Sequence, residues 1–204
     1  MKRCLLICLL LLAINAIGQT HSEGYKPLND LEIKERIANI PTQNGKILYD
    51  QVIVAPGMSA NDLFVIIRNW FVEKFTDSRV VLEVNDPENG LMTGKGTYKF
   101  QKINGINAHV GYVSFIMNVK VKDGKFRYQL YTFVYKGVSK GMFADANDPG
   151  IEETVDMNDA LNQFLLGKRE KKNRKFLSDL VTLQDYFDKS LRFNVLKRDD
   201  ISDF

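Results

Sequence analysis

The chain has 204 residues, 45% of them hydrophobic and 11% aromatic, with a formal net charge of +3. Loss of the leader argued below removes Lys2 and Arg3 and leaves about 186 residues at a charge of about +1, a length suited to one domain with additions. That balance excludes an electrostatic case for nucleic acid or an anionic membrane as the main partner, and both cysteines, Cys4 and Cys8, fall in the leader, so the remaining core must hold without disulfides.

Lys2 and Arg3 precede an apolar run from Cys4 to Ile14, and Ala16 and Gly18 stand where a signal peptidase requires small residues. The pattern predicts a signal peptide over residues 1–18, cleavage between Gly18 and Gln19, and a periplasmic or secreted product. No segment approaches the roughly twenty apolar residues of a membrane span. Residues 19–44 are polar, with "LEIKERIANI" predicting a short helix before Pro41.

"KILYDQVIVAPG" reads as a strand ended by Pro56 and Gly57. Ser59 and Asp62 then form a capping-box pattern, and Leu63, Phe64, Ile67, Trp70, Phe71 and Phe75 recur at helical spacing. "RVVLEVND" alternates as a strand, and Glu88, Asn89 and Gly90 supply a turn into "GLMTGKGTYKF". The order Gly90, Gly94, Lys95, Gly96, Thr97 comes near a phosphate-binding loop, but it is one residue short and no helix follows it. An extended reading puts Met92, Gly94, Gly96, Tyr98 and Phe100 on one face and Thr93, Lys95, Thr97 and Lys99 on the other. The glycines then leave room for the helix carrying Trp70 and Phe71.

Asp123 and Gly124 divide two long alternating runs, a type I′ hairpin signal. Pairing Lys122 with Lys125 sets Val121 against Phe126, Val119 against Tyr128, Met117 against Leu130, Phe115 against Thr132 and Val113 against Val134 on a core face. The opposite face then carries Lys120 with Arg127 and Asn118 with Gln129 near the turn, followed by an aromatic half of Tyr112, Ile116, Tyr131, Phe133 and Tyr135. Those five residues are the candidate binding site, since a contiguous apolar patch marks a contact.

After Gly141, "DANDPGIEE" predicts a turn starting a helix at Pro149, with Ile151, Val155, Leu161 and Leu165 in period and Gly167 as its C-terminal cap. A second helix is predicted from about Glu170 to Leu191, with Phe176, Leu180, Leu183, Phe187 and Leu191 on one stripe. Asp145, Asn147, Gly150, Glu153 and Asp156 fall at calcium-loop positions, but Pro149, Glu152 and the terminal aspartate depart from the pattern, which favours an acidic helix start. "KREKKNRK", residues 168–175, reads as a solvated helix face.

Three stretches, "GKILYDQVIVAPGMSANDLFVIIRNWF", "GLMTGKGTYKF" and "GYVSFIMNVKVKDGKFRYQLYTF", resemble a family of exported bacterial proteins described as a domain of unknown function with a TATA-binding-protein-like fold. Trp70, the glycines Gly90, Gly94 and Gly96, and the hairpin Val121 to Tyr128 match its motifs in turn, and the resemblance covers about residues 45–136. It implies a curved antiparallel sheet with a helix on one face, and export in Bacteroidetes-type Gram-negative bacteria. It supplies no catalytic residue.

The fold expected is α+β: a five-stranded antiparallel curved sheet in the order β-α-β-β-β-β over residues 45–137, with Trp70's helix on one face. A helical C-terminal extension, residues 138–204, is expected near the other face. His21 and His109 form no metal cluster, no nucleophile motif is present, and neither metal nor cofactor is expected. The functional expectation is a noncatalytic binding or scaffold module of the cell envelope, partnered by a protein or peptide and acting through the sheet face or the C-terminal helices. The competing expectations are that the Phe176 to Phe187 stripe simply covers the aromatics, or that the chain is a small envelope hydrolase.

Overall fold

The computed structural model describes residues 29–74, 81–104, 107–139 and 151–196. The leader with its cleavage site, His21, Phe75, Arg79, Val80 and the calcium-loop positions 145–150 lie outside the described residues. The chain divides into two units, Met1–Glu32 and Ile33–Phe204. In the first, the Asn29 side chain accepts the N–H groups of Leu31 and Glu32 while the Glu32 carboxylate accepts that of Asn29, a reciprocal cap opening helix α1 (Asp30–Ala38).

In the second unit, β1 (Thr42–Gln43) and β2 (Lys46–Val54) precede α2 (Ala60–Lys74), and β3 (Val81–Asp86), β4 (Leu91–Asn104), β5 (Asn107–Lys122) and β6 (Lys125–Ser139) follow. The chain closes with β7 (Ile151–Asp156), α3 (Met157–Leu165) and α4 (Glu170–Leu196). The antiparallel sheet runs β1-β2-β6-β5-β4-β3, and β7 pairs with β6 beyond the end of β2. The fold is α+β in the expected order, with seven strands in place of five because β1 and β7 join the sheet.

Ser59 and Asp62 form the capping box on α2, Ser59 Oγ donating to Asp62 Oδ2 at 2.7 Å and accepting the Asp62 N–H at 3.1 Å. The β5–β6 turn docks on the same helix start: Asp123 Oδ1 accepts the Ala60 N–H at 2.7 Å, and the Gly124 N–H donates to the Met58 carbonyl at 2.9 Å. The residue that turns the hairpin therefore also satisfies an otherwise orphaned helix donor.

The hairpin register holds from Lys122↔Lys125 through Met117↔Leu130 and Ile116↔Tyr131, then shifts. Thr132 adopts a left-handed backbone, φ 57°, and the ladder resumes with Ser114↔Val134 and Val113↔Tyr135. This bulge corrects two expected pairs, Phe115 with Thr132 and Val113 with Val134. It reverses the alternation, so Thr132 is exposed while Phe133 and Tyr135, at 1% and 0% exposure, turn into the core. Burying two rings stabilises by about 3 kcal/mol or more, whereas one left-handed L-residue costs about 1–2 kcal/mol, so the bulge is favourable.

α2 and α4 pack on one and the same face of the sheet, which corrects the expectation of helices on opposite sides. Trp70 meets Phe187 edge-on at 5.3 Å between centroids, Phe187 meets Phe115 at 5.0 Å, and Phe176 tilts against Tyr135 at 4.6 Å. Trp70 Nε1 donates to Ser190 Oγ at 2.9 Å, and Arg36 of α1 forms a two-pronged pair with Asp185 of α4. The stripe Phe176, Leu180, Leu183, Phe187 and Leu191 is wholly buried in this core.

A second correction concerns residues 151–156, which form a strand on β6 rather than the first turns of a helix. β6 outruns β2, so its edge from Val134 to Ser139 offers unpaired backbone groups that Ile151–Asp156 completes. The helix starts only at Met157, where Asp156 caps it by accepting the N–H groups of Asn158 and Asp159. Gly167, φ 68°, ends it as expected.

Candidate functional site

The face of the sheet turned away from α2 and α4 is covered by no helix among the described residues. Strand alternation and register fix what it presents. From the hairpin end, Val54 stands opposite Lys125 and Lys122. The next row is Val52, Arg127, Lys120 and Leu91, followed by Asp50, Gln129, Asn118, Thr93 and Val84, and then by Leu48, Tyr131, Ile116 and Lys95. Beyond the bulge come Val134, Ser114 and Thr97, then Lys136, Tyr112 and Lys99.

Of the five expected site residues, this face retains Tyr112, Ile116 and Tyr131, all half-buried. Phe133 and Tyr135 are corrected to the helix-covered face. Tyr135 lies over the opposed pair Gly111 and Gly137, where a Cβ at Gly111 would stand 2.6 Å from its hydroxyl. Burial, with the charges of Asp179 and Glu153 behind it, pushes the Tyr135 phenol up to about 12. The Phe176 to Phe187 stripe thus covers part of the expected patch and leaves the other part open.

Towards the hairpin the face becomes polar and basic. Arg127 Nε donates to Asp50 Oδ1 at 2.7 Å, its Nη2 reaches Oδ2, and Gln129 Nε2 donates to Oδ2 at 3.0 Å. The Arg127 hydrogen bond holds the Asp50 carboxyl below its ordinary value. Thr93 Oγ1 donates to Asn118 Oδ1 at 2.7 Å, and Lys95 pairs with Glu83 at 2.5 Å. Two adjoining hollows sit here. One, about 340 Å³, is lined by Val52, Lys120, Lys122, Lys125, Phe126 and Arg127, and the other, about 300 Å³, shares Lys120 and Arg127 and extends over Val84, Leu91 and Thr93.

The remaining sequence candidates have structural duties. Lys95 and Thr97 lie on the open face of a continuous strand, with Gly94 and Gly96 on the inner face, so the phosphate-loop resemblance is sheet geometry. Glu153 forms an ion pair with Lys172 across β7 and α4, and Asp156 is a helix cap, so neither is poised as a loop ligand for calcium. In the basic run, Glu170 pairs with Lys34 at 2.6 Å and Asn173 is buried with its amide donating to the Lys168 carbonyl. His109 lies on β5. Neither hollow brings a hydroxyl or thiol beside an imidazole.

The sheet, its single helix between first and second long strands, and the hairpin are what a family model recognises over residues 49–136, described as a domain of unknown function (DUF4468) with TBP-like fold. Residues 49–136 are a DUF4468 domain. Two solved structures share the fold. A DUF4468 family protein from Bacteroides ovatus matches at 13% identity and TM-score 0.60, covering 76% of this chain and 90% of that one. A TBP-like protein from Parabacteroides distasonis matches at 13% identity and TM-score 0.59, covering 76% and 96%. No curated protein matches the chain. The structural likeness spans more of the chain than the DUF4468 match does.

Sequence reasoning set Lys120 with Arg127 on the polar half of this face but did not single out its basic end. The signal was present in the register: Lys122 opposes Lys125 and Lys120 opposes Arg127, two like-charge pairs in succession.

Proposed function

We propose that the chain is an exported, noncatalytic binding module of the cell envelope whose DUF4468 sheet engages a protein or peptide through the face opposite α2 and α4. The observation carrying this reading is the placement of both long helices on one side, which leaves Tyr112, Ile116 and Tyr131 on the other, with two hollows on the same face towards the hairpin end. An apolar and basic surface that the core does not need is suited to recognition. The leader pattern supports export, and no described helix is long and apolar enough to cross a membrane.

Photo-crosslinking residues placed at 112 and 131 in cells test the reading, with position 193 on exposed Phe193 as the control surface. The expected result is a discrete crosslinked species from positions 112 and 131 and not from 193. Crosslinks from none of the sheet positions would overturn it, and an N-terminal sequence retaining residues 1–18 would overturn export.

A further inference from the structure

We propose that the hairpin end of the open sheet face binds a compact phosphate-bearing anion through Lys120, Lys122 and Lys125. The inference rests on the reading of that face as open and specifies a ligand class at one end of it.

Two successive cross-strand pairs carry like charges, Lys122↔Lys125 and Lys120↔Arg127. Directly opposed like charges destabilise an antiparallel ladder, so the fold gains nothing from this arrangement. The neighbouring acids do not relieve it. Asp50 is taken by Arg127 and Gln129, Asp123 faces the Ala60 N–H at the start of α2, and Asp86 accepts both the backbone and side-chain amides of Asn89. Lys120, Lys122 and Lys125 make no ion pair among the described residues. All three lysines line one hollow of about 340 Å³.

The shape of the charge decides between a compact and an extended ligand. Neighbours on one strand face lie about 6.8 Å apart and cross-strand Cβ atoms about 5 Å apart, so three flexible lysines reach a single multivalent group. The next outward residues along each strand are Asn118 and Gln129, which are uncharged. An extended acidic peptide following the strands would leave the cations after one step, whereas a phosphate or diphosphate fits within them. Beside the lysines, Val52 and Val54 are 55% and 61% exposed and offer an apolar ledge for the rest of the ligand. The phosphate can belong to a soluble compound or to a lipid headgroup.

The test titrates the full chain and its K120Q/K122Q/K125Q variant with pyrophosphate by calorimetry at low salt. One saturable site is expected, weakened about ten-fold or more in the variant and by added salt, with the variant at least as thermally stable because opposed charges are gone. Vesicles with and without phosphatidic acid separate the sources: pyrophosphate binding with vesicle binding assigns a headgroup, and without it a soluble ligand. Absence of saturable pyrophosphate binding, binding undiminished in the variant, or binding of a glutamate-rich peptide instead would overturn the inference. Acylation of the three lysines in the native chain separates the failures. Reactive lysines without pyrophosphate binding sink this inference alone, and unreactive lysines sink the open-face reading with it.

Discussion

Gly94 of β4 lies beneath the ring of Phe71 on α2, so close that a Cβ at position 94 would stand 2.6 Å from Phe71 Cε1 and 2.9 Å from Cζ. The helix and sheet meet across a missing side chain. Gly94→Ala should therefore destabilise by about 1–3 kcal/mol, the range of an overpacked core, and Gly94→Val by more. Phe71→Leu added to Gly94→Ala should recover part of the loss. Urea denaturation of the four chains completes the cycle, and strict additivity would show that the two residues do not meet.

Thr132 holds a β-branched side chain in the left-handed region so that Phe133 and Tyr135 can point inward. Thr132→Gly should raise stability by about 1 kcal/mol by removing the steric conflict. Deleting Thr132 would restore unbroken alternation by pairing Phe133 with Phe115, and both rings would stay inward because Ser114↔Val134 and Val113↔Tyr135 are kept. The expected outcome is cooperative thermal unfolding in both variants, and loss of cooperativity in the deletion would contradict this account of the bulge.

Burial raises the phenols of Tyr49, Tyr128 and Tyr135 from the model-peptide value of 10.0, the last to about 12. Between those two values the unfolded chain loses the Tyr135 proton while the folded chain keeps it, so the unfolded state binds fewer protons there. Stability is unaffected by this group below pH of about 10 and declines as pH rises towards about 12. Denaturant midpoints should fall across that window while tyrosinate absorbance rises at unfolding, and Tyr135→Phe should lessen the decline, the remainder coming from Tyr49 and Tyr128.

Asp123 serves the hairpin turn and the α2 start at once. Asp123→Ala removes both roles and should cost about 1–2 kcal/mol, whereas Asp123→Asn keeps an acceptor and a turn-forming residue and should cost a few tenths. Equal losses in the two variants, read from thermal midpoints, would leave the cap without energetic content.

Most of the sheet was legible because local chemistry set it: Asp123 and Gly124 fixed the hairpin register for its first pairs, and the capping box placed α2. The register became illegible at "LYTFVY", where Tyr131, Phe133 and Tyr135 compete with Leu130, Thr132 and Val134 for the inner face and alternation has no preferred phase. Only the fit of Phe133 and Tyr135 against Phe115 and Phe176 decides it. β7 was hidden for a similar reason. "IEETVD" has acidic residues suited to a helix start, and its strand identity comes from the free edge of β6. The open face was half visible: the lysine and arginine positions followed from the register, but which side the helices would cover did not follow from their amphipathic stripes.

The open face can be tested directly because a chain beginning at Gln19 contains no cysteine. Single cysteines placed at Ile116 and Tyr131 on the open face, and at Met117 and Phe133 on the helix face, are exposed to a thiol reagent under native conditions. The structure predicts labelling at half-buried 116 and 131 without global unfolding, and protection of about a thousand-fold or more at 117 and 133, where reaction must wait for unfolding. Protection at 116 and 131 equal to that at 117 would contradict it.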